Sequence, residues 1–387
     1  MKVKDPIITS LLDNDLYTIT VGQVAFQKFP DATVEYSFIN RNNTKFTEHF
    51  LAELKHQFSL MKQLKLTSYE LVWLKSLDYF TDDYLAWLNK YQFNPNELII
   101  KLVDGVLTIT VKGSWMRTIM WEVPILALVS ELYFKLESKQ KMDGWIDRIA
   151  RKAQNLSSNG CLWIDFGTRR RFDFEVQQEV VRSMKSYTGF LGTSNMMLAQ
   201  QYEIQPVGTM SHQGPMAMMA KYGVKNANKQ WMSHWIECYK DKLLTYLPDT
   251  FTTGVFLRDF DKESAKVWNL RQDSGVPSEW MDTVLAHYEK LGVSTKNKKT
   301  FVFSDGLTDE TYKNLSLKYR KYATIVGGIG TSISNDCGHT PLNIVVKLTR
   351  ANFGQGWVDV VKLSDSKGKY TGNPEAVKLV KLELGII

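Results

Sequence analysis

The chain has 387 residues, enough for one large domain or two ordinary ones, and 44% of them are hydrophobic against 23% charged, which excludes disorder and allows a sizeable core. The formal net charge of +7 suits either nucleic acid or phosphorylated small molecules. Basic residues are scattered apart from Arg169-Arg170-Arg171 and the Lys296–Lys299 run, which reads as a solvated loop, and no zinc-finger, RRM or basic-zipper pattern is present, so no nucleic-acid partner is expected.

The N-terminal stretch "MKVKDPIITSLLDNDLY" lacks the long apolar region of a secretory signal. "ATVEYSFINR" alternates like a half-buried strand, and "FTEHFLAELKHQFSLMKQL" has helical spacing. "ELIIKLVDGVLTITVKG" reads as two strands around an Asp-Gly turn. "EVPILALVSELYFKLESK" reads as a buried helix with Pro124 in its first turn. Its apolar part is too short to span a bilayer and carries Glu131, so no membrane association is expected. Cys161, Cys238 and Cys337 are widely spaced with no CxxC, which points to a reducing, cytoplasmic compartment and against a zinc site.

From about residue 160 the pattern changes. Short apolar runs end in glycine-containing turns followed by helical segments: "CLWIDFGTRR", "GFLGTSN", "IQPVGTMSH", "WNLRQDSG", "KTFVFSDG" and "ATIVGGIGT". Such alternation implies parallel β/α units, with the chemistry in the loops after the strands. "NIVVKLT" and "WVDVVKL" return to strand-like alternation before a C-terminal helix, "PEAVKLVKLEL".

Several loops carry chemistry. "GGIGTS" (Gly327 to Ser332) is either a phosphate loop or a tight turn, since it lacks a P-loop lysine. "SDGL" (Ser304 to Leu307) could share the same phosphate, and Asp305 is either a ribose or metal ligand or a helix cap. In "RQDSG" an extended backbone sets Arg271 and Asp273 on one face, which suits a sugar or a Mg²⁺-bound pyrophosphate; a surface turn is the alternative. One arginine of "DFGTRRR" is expected to grip a carboxylate or phosphate by a fork, the others facing solvent or helix acids. His212 stands at an expected strand end in "PVGTMSH", either as a hydrogen-bonded loop residue or for proton transfer or nucleophilic attack on phosphorus.

These blocks, together with "DNDLYTIT", "EVPILAL", "DTF" and "PLNIVVKLT", occur in the order seen in nicotinate phosphoribosyltransferases, and the chain resembles that family over nearly its whole length. The resemblance implies an α/β fold. An N-terminal α/β domain (residues 1–135 with 345–387), rejoined by the C-terminal strands, packs on an irregular, incomplete β/α barrel (136–344). It implies a homodimer in which the neighbouring chain completes each site. The implied reaction joins nicotinate to phosphoribosyl pyrophosphate with Mg²⁺, coupled to ATP hydrolysis, in NAD salvage.

Residue by residue, His212 matches the histidine that ATP phosphorylates. Tyr17 matches the aromatic that stacks on the pyridine from the other subunit, with Phe166 on the opposite face. Arg169 matches the arginine beside the ring, Ser194 lies where the carboxylate is expected, and Thr209 precedes the histidine as a further substrate contact. Arg271 and Asp273 resemble the pyrophosphate and ribose contacts. Ser304, Asp305, Gly306, Gly328, Gly330 and Thr331 resemble the ribose-phosphate cradle. No protein metal ligand is assigned. Gly327 departs from the bulky residue common there, which implies a looser loop. Nicotinamide is the rival substrate, but its enzymes have aspartate at the Ser194 position, which would repel a carboxylate. Quinolinate enzymes are shorter and lack the ATP-linked histidine. A non-catalytic binding protein would tolerate loss of His212, Asp273 or Arg271, and all three are present.

Overall fold

A computed structural model describes residues 5–136 and 139–387. Its strands are β1 (Thr33–Asn40), β2 (Leu98–Val103), β3 (Val106–Ser114), β4 (Leu162–Asp165), β5 (Phe190–Thr193), β6 (Thr245–Tyr246), β7 (Asn269–Gln272), β8 (Thr300–Phe303), β9 (Thr324–Ile329), β10 (Ile344–Asn352) and β11 (Val358–Asp359). They form two sheets. The first is antiparallel, in the order β11-β10-β1-β3-β2, so the C-terminal strand β10 pairs directly with β1. The second is parallel, in the order β5-β4-β9-β8-β7-β6. Among the described residues its two ends are not paired with each other, so the β/α ring is open.

Local chemistry explains the elements. β2 and β3 are joined by Asp104-Gly105, both with positive φ (50° and 76°), the geometry of a two-residue hairpin turn. β1 alternates buried and half-buried positions, as a strand with one face on the core must. The Glu122–Leu136 helix is buried almost throughout, with Pro124 in its first turn. No helix among the described residues is long and apolar enough to cross a membrane.

Two expectations need correction. The "IQPVGTMSH" segment forms no strand: Pro206 makes a single bridge to Thr193, and Gly208, at φ 142°, turns the chain away from the ladder. His212 therefore sits immediately before the Gln213–Tyr222 helix rather than at a strand end. The Lys296–Lys299 run is also not wholly solvated. Lys299 is buried, donates to the carbonyls of Lys266 and Trp268, and burial pushes its amine down to about 8.

Candidate active site

Two cavities meet where the C-terminal ends of the parallel strands face β10. The first is a narrow slot with about 50 Å³ of free space, walled by Asp15, Tyr17, Glu122, Phe166, Arg169 and Ser194 and closed by His212, Asp273 and Lys347. The second, about 490 Å³, is lined by Ser304, Gly306, Gly328, Gly330 and Thr331 with Lys152 and Arg170. Phe166, Arg169 and Arg271 belong to both, so the two are contiguous. Five of the six parallel strands deliver a residue just past their C-terminal ends: Phe166 after β4, Ser194 after β5, Asp273 after β7, Ser304 after β8 and Gly330 after β9.

The loop after β4 is fixed from below. The buried Asp165 carboxylate accepts from Gly167 N (2.8 Å), Thr193 Oγ1 (2.7 Å) and Gln177 Nε2 (2.9 Å), while burial pushes its pKa up to about 6. The fork among the three arginines is made by Arg171. It is fully buried and donates to both oxygens of Asp13 at 2.7 and 2.8 Å, so it serves the fold and not a ligand. Arg169 and Arg170 remain at the cavities; burial and the neighbouring Arg169 and Arg41 lower Arg170 to about 10.

The Asp13–Arg171 pair also ties the "DNDLY" segment to its own barrel. Leu16 N donates to Ser194 O at 2.8 Å, and Asp15 bridges Asn195. Tyr17 consequently lines the slot of its own chain together with Phe166. A buried ion pair and backbone hydrogen bonds hold its segment against β5.

Phe166 is held in turn by glycines. A Cβ on Gly328 would stand 2.5 Å from its ring, and one on Gly330 would stand 2.9 Å from its carbonyl oxygen. Arg271 covers the ring at 5.1 Å. At Gly327 a Cβ would meet the Tyr312 ring at 2.7 Å. The space of a bulky residue is therefore already filled by Tyr312, and the loop is not loosened as expected.

Arg271 and Asp273 do share a face: Arg271 Nη2 donates to Asp273 Oδ1 at 2.8 Å and its Nε to Ser304 Oγ at 2.8 Å. Asp273 in turn lies 3.1 Å from Nε2 of His212. The other ring nitrogen is 3.0 Å from Thr250 Oγ1. Two residues to which the sequence reading assigned no role complete the cluster. Lys362 Nζ is 2.9 Å from Nε2 of His212 and 3.0 Å from Asp249 Oδ2. Burial and Lys362 lower the pKa of His212, outweighing Asp249 and Asp273. Burial opposes ionisation of Asp273, but Arg271, His212 and Lys362 hold it well below the ordinary carboxylate range. The result is a neutral imidazole among fixed charges, able to act as a nucleophile.

Other candidates are placed differently. Ser194 lines the slot, but its hydroxyl donates to Asp15 Oδ1 at 2.8 Å. Thr209 lines it too, and donates to Thr245 O at 2.7 Å, which fixes the wall. Asp305 lines neither cavity and lies 3.7 Å from Lys369. It is no helix cap, since Thr308 caps the following helix. Thr331 and Gly330 begin a one-turn helix at the wide cavity. His339 also lines that cavity, with its ring 2.7 Å from Gln140 O.

Glu122, Asp249, Lys347 and Lys362 all fall in stretches read as strand, helix or motif, yet no role was assigned to them. A lysine interrupting an apolar strand, in "NIVVKLT" and again in "WVDVVKL", was the available signal.

Residues 161–386 match the model of the nicotinate phosphoribosyltransferase (NAPRTase) family, and residues 12–130 match that of its N-terminal domain. The chain is 37% identical to a nicotinate phosphoribosyltransferase of Chromohalobacter salexigens, covering 98% of this chain and 99% of that one. It is 39% identical to the enzyme of that name from Yersinia enterocolitica, over 94% and 92% of the two chains. The crystal structure of nicotinate phosphoribosyltransferase from Porphyromonas gingivalis superposes with a TM-score of 0.95 at 36% identity, covering 98% of this chain and all of that one.

Proposed function

This chain belongs to the nicotinate phosphoribosyltransferase family, and from that premise we propose how its two cavities divide the reaction. Nicotinate enters the narrow slot between Tyr17 and Phe166, and phosphoribosyl pyrophosphate lies in the wide cavity. The pyridine nitrogen forms a bond to the ribose carbon as the bond to pyrophosphate breaks, giving nicotinate mononucleotide and pyrophosphate. The observation that carries this reading is the junction. Phe166, Arg169 and Arg271 line both cavities, so a flat ring and a phosphorylated sugar would meet there.

The residue types fit the charges that develop. Departure of pyrophosphate leaves positive charge on the ribose, beside which Asp273 stays ionised. Arg271, Arg169, Arg170 and Lys152 supply cations for the phosphates. The ring nitrogen needs orientation rather than activation, and the aromatic pair supplies it.

ATP drives the step through His212. Its neutral imidazole attacks the γ-phosphorus, ADP leaves, and water later takes the phosphoryl group from the nitrogen. Mg²⁺ enters with the polyphosphates as part of the substrates. The one His/Asp/Asp group among the described residues, His212 with Asp249 and Asp273, does not suit a resident ion, because the Lys362 ammonium already lies among its ligand atoms. The three cysteines are free, which suits the reducing cytoplasm. A homodimer belongs to this reading through the family resemblance alone.

The test is product formation from phosphoribosyl pyrophosphate and Mg²⁺ with nicotinate or nicotinamide, each with and without ATP. Mononucleotide from nicotinate, raised by ATP and lost in His212→Ala, supports the reading; product from nicotinamide alone overturns it.

A further inference from the structure

Among the described residues the slot holds one cation with no hydrogen-bond or ion-pair partner within 4.0 Å. Of the three cations in its wall, Arg271 is bound to Asp273 and Ser304, and Arg169 faces Asp15 at 3.8 Å. Lys347 has neither a hydrogen bond nor an ion pair within 4.0 Å among the described residues. Its backbone is not free to drift: β10 lies between β1 and β11, with Lys347 in register with Ser37. A half-buried ammonium that lines a cavity with no hydrogen bond or ion pair of its own, under only the longer-range pull of Glu122 and Asp273, is costly unless something anionic binds there.

The neighbours narrow the choice of anion. Ser194, the residue expected to meet the substrate carboxylate, spends its only proton on Asp15. The Glu122 carboxyl already accepts from Gln213 at 3.1 Å, and burial raises its pKa against the lowering pull of Lys347 and Arg169. Tyr17 and Phe166 admit a flat ring, so the anion belongs on a small aromatic acid rather than on a phosphate.

Resting on the proposed function, we infer that Lys347 is the specificity-determining residue that receives the carboxylate of the pyridine substrate, with Ser194 and Arg169 positioning Asp15 instead. A charged ammonium–carboxylate hydrogen bond would then separate the acid from the amide, which offers no charge to it.

The test uses the full-length enzyme with nicotinate and nicotinamide as probes, in the wild type, Lys347→Met and Lys347→Arg. In Lys347→Met, kcat/KM for nicotinate falls roughly 10- to 100-fold, the loss of one charged hydrogen bond. The fall appears in KM for nicotinate, while KM for phosphoribosyl pyrophosphate and inhibition by nicotinamide hold steady. Lys347→Arg recovers part of the loss. Equal weakening toward nicotinate, nicotinamide and phosphoribosyl pyrophosphate would show a structural role and overturn the inference, as would an unchanged KM for nicotinate. Should Lys347→Met not fold, Lys347→Arg decides alone: its longer fork shifts KM for nicotinate but not for phosphoribosyl pyrophosphate. A wild type that makes no mononucleotide from nicotinate overturns the proposed function and this inference together. A wild type that does so beside an indifferent Lys347→Met overturns the inference alone.

Discussion

The Lys362 ammonium lies 2.9 Å from Nε2 of His212, which also has the carboxylates of Asp249 and Asp273 at 3.6 and 3.1 Å. Because burial and Lys362 set the pKa of His212 below its ordinary 6.5, the nucleophilic neutral form predominates at neutral pH and persists into mild acid. Replacing Lys362 with Met removes the lowering charge and leaves Asp249 and Asp273, so the pKa of His212 rises. The acid limb of the ATP-dependent rate is expected to move to higher pH. A pH–rate profile of ADP release checks this, and an unmoved limb would refute it.

Tyr17 reaches the slot of its own chain, so two defective chains cannot repair one another. Tyr17→Ala is assayed at a nicotinate concentration where it is inactive, then mixed after joint refolding with His212→Ala. No activity should return. A site shared across a two-fold dimer would restore roughly a quarter of the wild-type rate in an equal mixture.

Arg171 and Asp13 form a buried bidentate pair, and truncating one partner strands the other charge. Arg171→Met is expected to lose about 3–5 kcal/mol, seen as a lower thermal midpoint. The double variant Arg171→Met with Asp13→Leu should regain part of that loss. A double variant that is worse by the full sum of the two changes would argue against pairing as the cause.

Gly327→Ala drives a methyl group toward the Tyr312 ring, which is buried and bonded to the Ile325 carbonyl at 3.1 Å. A loss of about 1–3 kcal/mol follows from overpacking. KM for phosphoribosyl pyrophosphate should change little, because Gly327 itself is not among the residues lining the wide cavity. Denaturant unfolding with parallel kinetics separates the two effects.

The sequence made the parallel half of the fold readable, because each strand announces itself by an apolar run and a glycine turn at close spacing. The same pattern located Phe166, Asp273, Ser304 and Gly330 at strand ends, where the structure brings them together. His212 stands out in the sequence but its setting does not, since Pro206 and Gly208 end the apparent strand before it. Lys347 and Lys362 escape a local reading for a different reason. Each contributes to a site whose histidine lies more than a hundred residues away along the chain, and no local spacing encodes such a meeting. The state of Ser194 was equally hidden, because its partner Asp15 comes from the far N-terminal segment.

The pairing of β10 with β1 also has a bearing on how the enzyme is made. A chain leaving the ribosome presents His212, Asp249 and Asp273 well before β10 and Lys362 emerge. Until then the imidazole lacks the ammonium that lies 2.9 Å from it in the folded chain. The first sheet is thus closed, and the cluster around His212 completed, only by residues that follow the whole parallel sheet in the chain.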